Sequence, residues 1–299
     1  MSLLPVLLLT LAHSGAIEPI DFYRSVVARA AERAQAEVRS ALKFDVDHSR
    51  WEDPWLLTSA HYEVRTSHSY AQAAKVSRDL EFMYAEFVKL VGEGPAQSAP
   101  RRVWIFPTLA AYNVFGNEVG AEHSSLLGTF FANQHPEQPV ATYQNGNPTL
   151  LGMWITHGAL HQYLEQSFGP QRLTWVDEGL ASYFSLFFDW TYAARELERI
   201  EKGPSYVPLE RLVGEPIQAY AQQPDDRFIQ LGMLFHFLLN SCEATRNGAT
   251  GDPATGPFQD FLRAAVRGQD VSESEFMQSL EEAAELLEDD FNEFDFATR

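Results

Sequence analysis

Residues 156–184, THGALHQYLEQSFGPQRLTWVDEGLASYF, predict two consecutive helices joined by a short loop. The first is expected to begin at Asn147, whose side chain can cap a helix, and at Pro148, which suits a first turn. Gly169 and Pro170 are expected to end it. Apolar residues occupy nearly every side of this helix, which predicts that it is buried.

The second helix is predicted to begin at Thr174 as N-cap, with Asp177 at the capping-box spacing and Glu178 in the first turn. His157 and His161 are four residues apart and therefore share one face of the first helix. Glu178 follows His161 by a loop length that allows the two helices to bring its carboxylate opposite both imidazoles. Two imidazoles and one carboxylate leave a fourth tetrahedral position open, which is typical of a catalytic zinc site.

Toward the N-terminus, the sequence predicts a mixed sheet backed by helices. Alternating and β-rich runs indicate strands, and runs with a 3.6-residue apolar period indicate helices. In chain order these are strand 61–66, helix 70–91, strand 102–106, helix 108–115, strand 128–132 and strand 139–143. The predicted fold class is therefore α+β, a small mixed β-sheet with backing helices followed by a mainly helical C-terminal half.

Four segments are predicted along the chain. Residues 1–16 resemble a signal peptide, because a short apolar run ends in small residues, although no Lys or Arg precedes that run. Residues 17–55 are expected to form a helix, from 21 to about 42, and a linker containing Trp51, Pro54 and Trp55. An α/β subdomain at 56–146 and a helical subdomain at 147–299 follow, the latter including an acidic, packed helix at 273–296.

Composition excludes several classes of function. The net charge of −19 repels phosphate backbones, so nucleic acid is not an expected partner. The single cysteine, Cys242, excludes a thiolate cluster, so a zinc site must use His and carboxylate ligands. The N-terminal apolar run is shorter than the roughly 20 residues of a membrane-spanning helix. We expect an exported protein, periplasmic or extracellular, with no integral membrane segment after processing; a cytoplasmic location is the alternative.

The motif at residues 156–184 resembles the signature of gluzincin-type zinc metallopeptidases, in which HExxH on one helix is followed by a WxxEGxA helix. It looks most like an uncharacterised, often exported bacterial branch of that superfamily. The resemblance implies a zincin-like fold, with zinc held by His157, His161 and Glu178 under a small mixed sheet. It also implies that a peptide or protein lies along an edge strand.

The chain departs from this family at position 158. The family places there the Glu that takes a proton from the metal-bound water, and here the residue is Gly158. Glu165 and Asp177 are the candidate replacement bases, although spacing favours neither. The family's oxyanion-stabilising Tyr is matched by Phe228, and Tyr220 and His236 are further candidates for that role.

Three functions remain open from the sequence. The leading one is a metallopeptidase-like pseudoenzyme that binds zinc, and a peptide or protein ligand, without efficient hydrolysis. The second is an active zinc hydrolase that uses another base. The third is a metal-free scaffold in which the two histidines are buried and hydrogen-bonded to Glu178. Asp177 and Ser182 are candidates for hydrogen bonds that orient the metal ligands from behind, although packing is the favoured role of Ser182.

Overall fold

The computed structural model describes residues 48–121, 128–170, 173–214, 224–240 and 257–271, together with residues 274, 276, 289, 291 and 292. These residues all lie in the unit Val46–Phe294. The predicted signal peptide at 1–16 and helix at 21–42 lie outside the described residues, as does most of the predicted helix at 273–296. Two members of that helix's apolar stripe, Phe276 and Phe291, are described and buried.

The described strands form a mixed sheet, as the sequence predicts. Five strands lie in the order β2–β3–β4–β6–β5, and the two-residue β1 extends the sheet beyond β2. The central strands β3, β4 and β6 are parallel, whereas β2 and β5 pair antiparallel with their neighbours, which places β5 at one edge. The strands are β1 Ser49–Arg50, β2 Asp53–Thr58, β3 Tyr62–Thr66, β4 Arg101–Phe106, β5 Thr129–Phe131 and β6 Val140–Tyr143.

Eight helices occur among the described residues, most of them in the C-terminal half. They are α1 Tyr70–Val91, α2 Leu109–Glu118, α3 Pro148–Phe168, α4 Thr174–Leu186, α5 Trp190–Glu201, α6 Leu209–Gly214, α7 Pro224–Asn240 and α8 Pro257–Val266. The α+β fold class is thus confirmed. Within the part of the chain that the structure describes, no helix has both the length and the apolar character needed to cross a bilayer.

Helices cover both faces of the sheet. On one face, α1 and α3 pack against alternate strand residues such as Val64, Val103 and Val140. On the other face, α2 packs against Trp104 and Phe106. This two-sided burial explains the continuous apolar run of β4, because a strand covered on both faces has no polar side. It also fixes α3 directly beneath the β5–β6 edge of the sheet.

Two sequence expectations are corrected. The stretch with Pro54 and Trp55 is not a linker, because β2 begins at Asp53 and Trp55 pairs with Thr66 of β3. Pro54 is tolerated there since it lies near the beginning of a strand at the margin of the sheet, where a missing N–H costs little. The helix expected at 108–115 is capped by the Thr108 side chain as predicted, but it continues through Gly116 to Glu118.

Candidate metal centre

Helix α3 has the ends that the sequence predicts. The Asn147 side chain accepts hydrogen bonds from the backbone N–H groups of Thr149 and Leu150, at 3.0 and 3.2 Å. Pro148 is the first helical residue, and Gly169 ends the helix with a φ of 85°, a conformation that suits glycine. The helix is buried over most of its length, so its position is fixed by packing rather than by its ends.

Helix α4 begins differently from the prediction. Thr174 is the first helical residue and Leu173 is the N-cap, which makes no side-chain capping hydrogen bond. Asp177 lies in the first turn, so Glu178 falls just after it. The capping-box expectation is wrong because the Asp177 carboxylate bonds elsewhere, to His161 of α3.

The side chains of His157, His161 and Glu178 converge between α3 and α4. The two imidazole Nε2 atoms are 3.1 Å apart. Glu178 Oε2 lies 3.5 Å from His157 Nε2, and Glu178 Oε1 lies 3.8 Å from His161 Nε2. Ligands about 2.0–2.1 Å from a tetrahedral zinc ion are about 3.3 Å from one another. The three separations therefore fit around one ion.

The donor set also fits zinc chemically. Imidazole nitrogen suits zinc and other transition metals, whereas calcium and magnesium prefer oxygen ligands throughout. Three protein ligands leave one coordination position for water or another molecule. The side chains of Glu178 and His161 remain 20% and 19% exposed, so the group is not sealed from solvent. A group of His157, His161 and Glu178 that can hold a metal ion is thus present, as predicted.

The pKa values of the three candidate ligands are shifted in different directions. Although burial opposes it, the carboxylates of Asp177 and Glu178 raise the pKa of His161 to about 9. Burial lowers the pKa of His157, which therefore stays neutral. Burial alone would raise the pKa of Glu178, but the charged His161 ring lowers it to about 2. Without metal, the site is an ion pair between His161 and Glu178 beside a neutral His157.

Of the two candidates for orienting the metal ligands, Asp177 contacts one of them and Ser182 does not. Asp177 Oδ1 lies 2.9 Å from His161 Nδ1, on the edge of the ring opposite the Nε2 atom that faces the other ligands. Such a carboxylate fixes the tautomer and orientation of a metal-binding imidazole. Ser182 is buried, and within the described part of the chain its hydroxyl has no hydrogen-bond partner, so it does not bond to Glu178.

His157 is oriented less firmly than His161. Its Nδ1 atom is buried and has no hydrogen-bond partner among the residues that the structure describes. The ring of Phe228, from α7, has its centroid 5.6 Å from that of His157. The Nε2 edge of the ring faces His161 and Glu178, whereas its other contact here is the packing of Phe228. The residue that α7 contributes beside His157 is thus apolar.

Gly158 lies where α3 packs closely against strands β5 and β6. A Cβ atom on this residue would be 2.7 Å from Val140 Cγ1 and 3.0 Å from Thr129 Oγ1. Contacts shorter than about 3 Å are not tolerated without movement, and here the neighbours are strand residues buried on the inner face. The glycine is thus explained by close packing, because even a Cβ atom at this position requires the Val140 side chain to move.

The remaining candidates are Glu165, as a replacement base, and His236 and Tyr220, for the oxyanion-stabilising role. Burial and the negative charge of Asp177 together raise the pKa of Glu165. His236 is buried and packs against Trp190, with ring centroids 4.2 Å apart. Tyr220 lies outside the described residues.

Sequence reasoning missed the part that Val140 and Thr129 play beside the site. Their strands are predicted, and strand alternation puts both residues on the face that meets α3. The register between that helix and the strands has no signal in the sequence. No protein-family model matches the chain, and no curated protein matches it.

Proposed function

We propose that the chain is a metallopeptidase-like zinc-binding protein that has lost efficient peptide hydrolysis. The observation that supports this most strongly is the convergence of His157, His161 and Glu178, with ligand atoms separated by 3.1–3.8 Å. Two imidazoles and a carboxylate that converge on one point are ligand types found at catalytic zinc sites. The open position and the WxxEGxA-like helix favour a relationship to gluzincins.

Weak or absent hydrolysis is proposed because position 158, which holds the general base in the family pattern, is a glycine, and the described residues beside it offer no replacement. Gly158 has no side chain, and its neighbours Val140 and Thr129 carry no acidic group. The Asp177 carboxylate already bonds to His161. When bound, zinc would supply Lewis acidity and a more acidic water. General acid–base assistance is worth about 10²- to 10⁴-fold in rate, so its loss leaves at most slow turnover.

A peptide or protein is the proposed ligand, and export is the proposed destination. Strand β5 stands at the edge of the described sheet, next to the α3 helix that carries both histidines. An extended segment can add to such an edge through backbone hydrogen bonds. The export proposal rests on the apolar N-terminal run alone.

Two measurements on the purified protein test the proposal. Elemental analysis after zinc loading and removal of free metal should give about one equivalent of zinc. The loaded protein should then cleave a quenched peptide library no faster than a Glu178→Gln variant. Less than a few tenths of an equivalent would favour the metal-free scaffold. Zinc-dependent cleavage that Glu178→Gln abolishes would instead favour an active hydrolase.

A further inference from the structure

The metal site differs in charge from a peptidase site that contains a general base. A divalent ion held by two neutral imidazoles and one carboxylate has a net charge of +1. In the HExxH pattern a second carboxylate follows the first histidine, and here that position is Gly158. The site proposed above therefore has one negative charge fewer than the family pattern, next to the open coordination position.

No acidic side chain replaces that charge among the described neighbours. On the side of Gly158 the closest groups are the Val140 side chain and the Thr129 hydroxyl, and the latter donates a hydrogen bond to Ala141 O. On the side of His157 the neighbour is the ring of Phe228. Asp177 is bonded to the far edge of His161, and Glu165 interacts with Asp177.

The metal ligands can be reached from solvent. The side chains of His161 and Glu178 are about one-fifth exposed, whereas that of His157 is almost fully buried. A small ligand can therefore approach the site past His161 and Glu178. The neighbours named above, Val140, Thr129 and Phe228, are uncharged, and two of them are apolar. Such surroundings strengthen the attraction between a metal ion and an anion, because few dipoles or opposite charges screen that attraction.

We infer that the open coordination position takes a carboxylate ligand, such as the C-terminal carboxylate or an acidic side chain of a peptide. The inference rests on the proposed zinc site and adds the class of molecule that the site binds. In a peptidase with its general base, the second carboxylate repels such an anion. Here Gly158 removes that repulsion, and the site becomes a receptor for an anionic group.

The test uses cobalt(II) as a spectroscopic substitute for zinc, with visible absorption as the readout. Acetate and acetamide, which have similar size and shape, are titrated into cobalt-loaded protein at constant ionic strength. Acetate should bind at least about tenfold more tightly than acetamide. Equal affinities, or no spectral change with acetate, would overturn the inference. Failure to bind cobalt would instead count against the proposed metal site itself.

A matched pair of variants tests the role of charge. Thr129→Glu introduces a carboxylate beside position 158, and Thr129→Gln introduces a neutral side chain of the same size. Acetate affinity in Thr129→Glu should be about tenfold lower than in Thr129→Gln. Equal acetate affinities in the two variants would show that local charge does not control anion binding and would overturn the inference. If either variant fails to fold, the comparison of acetate with acetamide in the unmodified protein remains decisive.

Two kinds of peptide distinguish the source of the carboxylate. One has a free C-terminus and no acidic side chain, and the other has an amidated C-terminus and one Glu. Preferential binding of either to the cobalt protein, relative to an amidated peptide without acidic residues, supports the inference and identifies the source. Indistinguishable binding of all three peptides would contradict it.

Discussion

His161 Nδ1 lies 2.9 Å from Asp177 Oδ1, while Nε2 of the same ring faces His157 and Glu178. The ring is thus held from behind by one carboxylate and presents its other nitrogen to the metal site. Asp177 and Glu178 are adjacent in sequence, so the same short segment of α4 supplies a ligand and the group that orients another ligand. The helix-to-helix register of α3 and α4 is therefore essential to the site.

Removal of the orienting carboxylate should weaken metal binding without abolishing it. Asp177→Ala is expected to lower zinc affinity by about 10- to 100-fold, because His161 loses the acceptor that fixes its tautomer. Competition with a chelator of known affinity measures the change. Glu165→Gln is the control, since it removes a nearby carboxylate that interacts with Asp177 only electrostatically. Equal, small effects of both variants would refute the orienting role.

Zinc binding should release a proton near pH 7. Asp177 and Glu178 raise the pKa of His161 from 6.5 to about 9, so this ring is charged in the metal-free protein and must lose its proton to bind zinc. Apparent zinc affinity should therefore rise with pH up to about 9. Calorimetric titration in buffers of different ionisation enthalpy should detect close to one proton released. Binding without proton release would contradict this protonation scheme.

The His161 imidazole makes the stability of the metal-free protein depend on pH. Because the pKa of His161 is higher in the folded state than in the unfolded chain, its contribution is fully present below about pH 6.5. That contribution is lost as the pH rises through about 9. Urea unfolding of metal-free protein at pH 6 and pH 9 measures it, with His161→Gln as the variant that should lack this component.

Gly158→Ala should destabilise the protein despite the higher helix propensity of alanine. The propensity gain is about 1 kcal/mol, but overpacking against Val140 and Thr129 costs about 1–3 kcal/mol. Urea unfolding is expected to show a net loss. The substitution should cost less in a Val140→Ala background, where the nearest atom has been removed. An equal cost in both backgrounds would show that Val140 does not impose the glycine.

For the same reason, Gly158→Glu is not expected to create an active peptidase. A Glu side chain at this position must displace two buried strand residues before its carboxylate can act as a base. We expect lower stability and no gain in cleavage of a quenched peptide library. A large gain in zinc-dependent cleavage would show that the edge of the sheet yields and that only the base is missing.

Much of this architecture could be predicted from local sequence signals. Asn147 and Pro148 begin α3 because capping and a missing N–H are local properties, and the spacing of His157 and His161 follows from one helical turn. The short spacing between His161 and Glu178 also allows the Glu178 carboxylate to meet the two imidazoles, as it does in the structure. The strand at Asp53–Thr58 was missed because Pro54 and the surrounding aromatic residues do not alternate clearly.

Other features depend on contacts between distant segments and have no local signal. The Asp177 side chain fits a capping box by spacing, but in the fold it binds His161 instead. The packing of Gly158 against Val140 and Thr129 depends on how closely a helix and two strands approach, which periodicity does not specify.

The central feature of the proposed site is a single divalent ion held jointly by His157, His161 and Glu178. Zinc affinity and stoichiometry, measured by chelator competition, should be compared among the unmodified protein, His157→Ala, His161→Ala and Glu178→Gln. The exposed His68→Ala variant is the control. We expect one zinc per chain in the unmodified and control proteins and at least about 100-fold weaker binding in each ligand variant. Zinc binding that survives all three ligand substitutions, or is absent from the unmodified protein, would contradict the account.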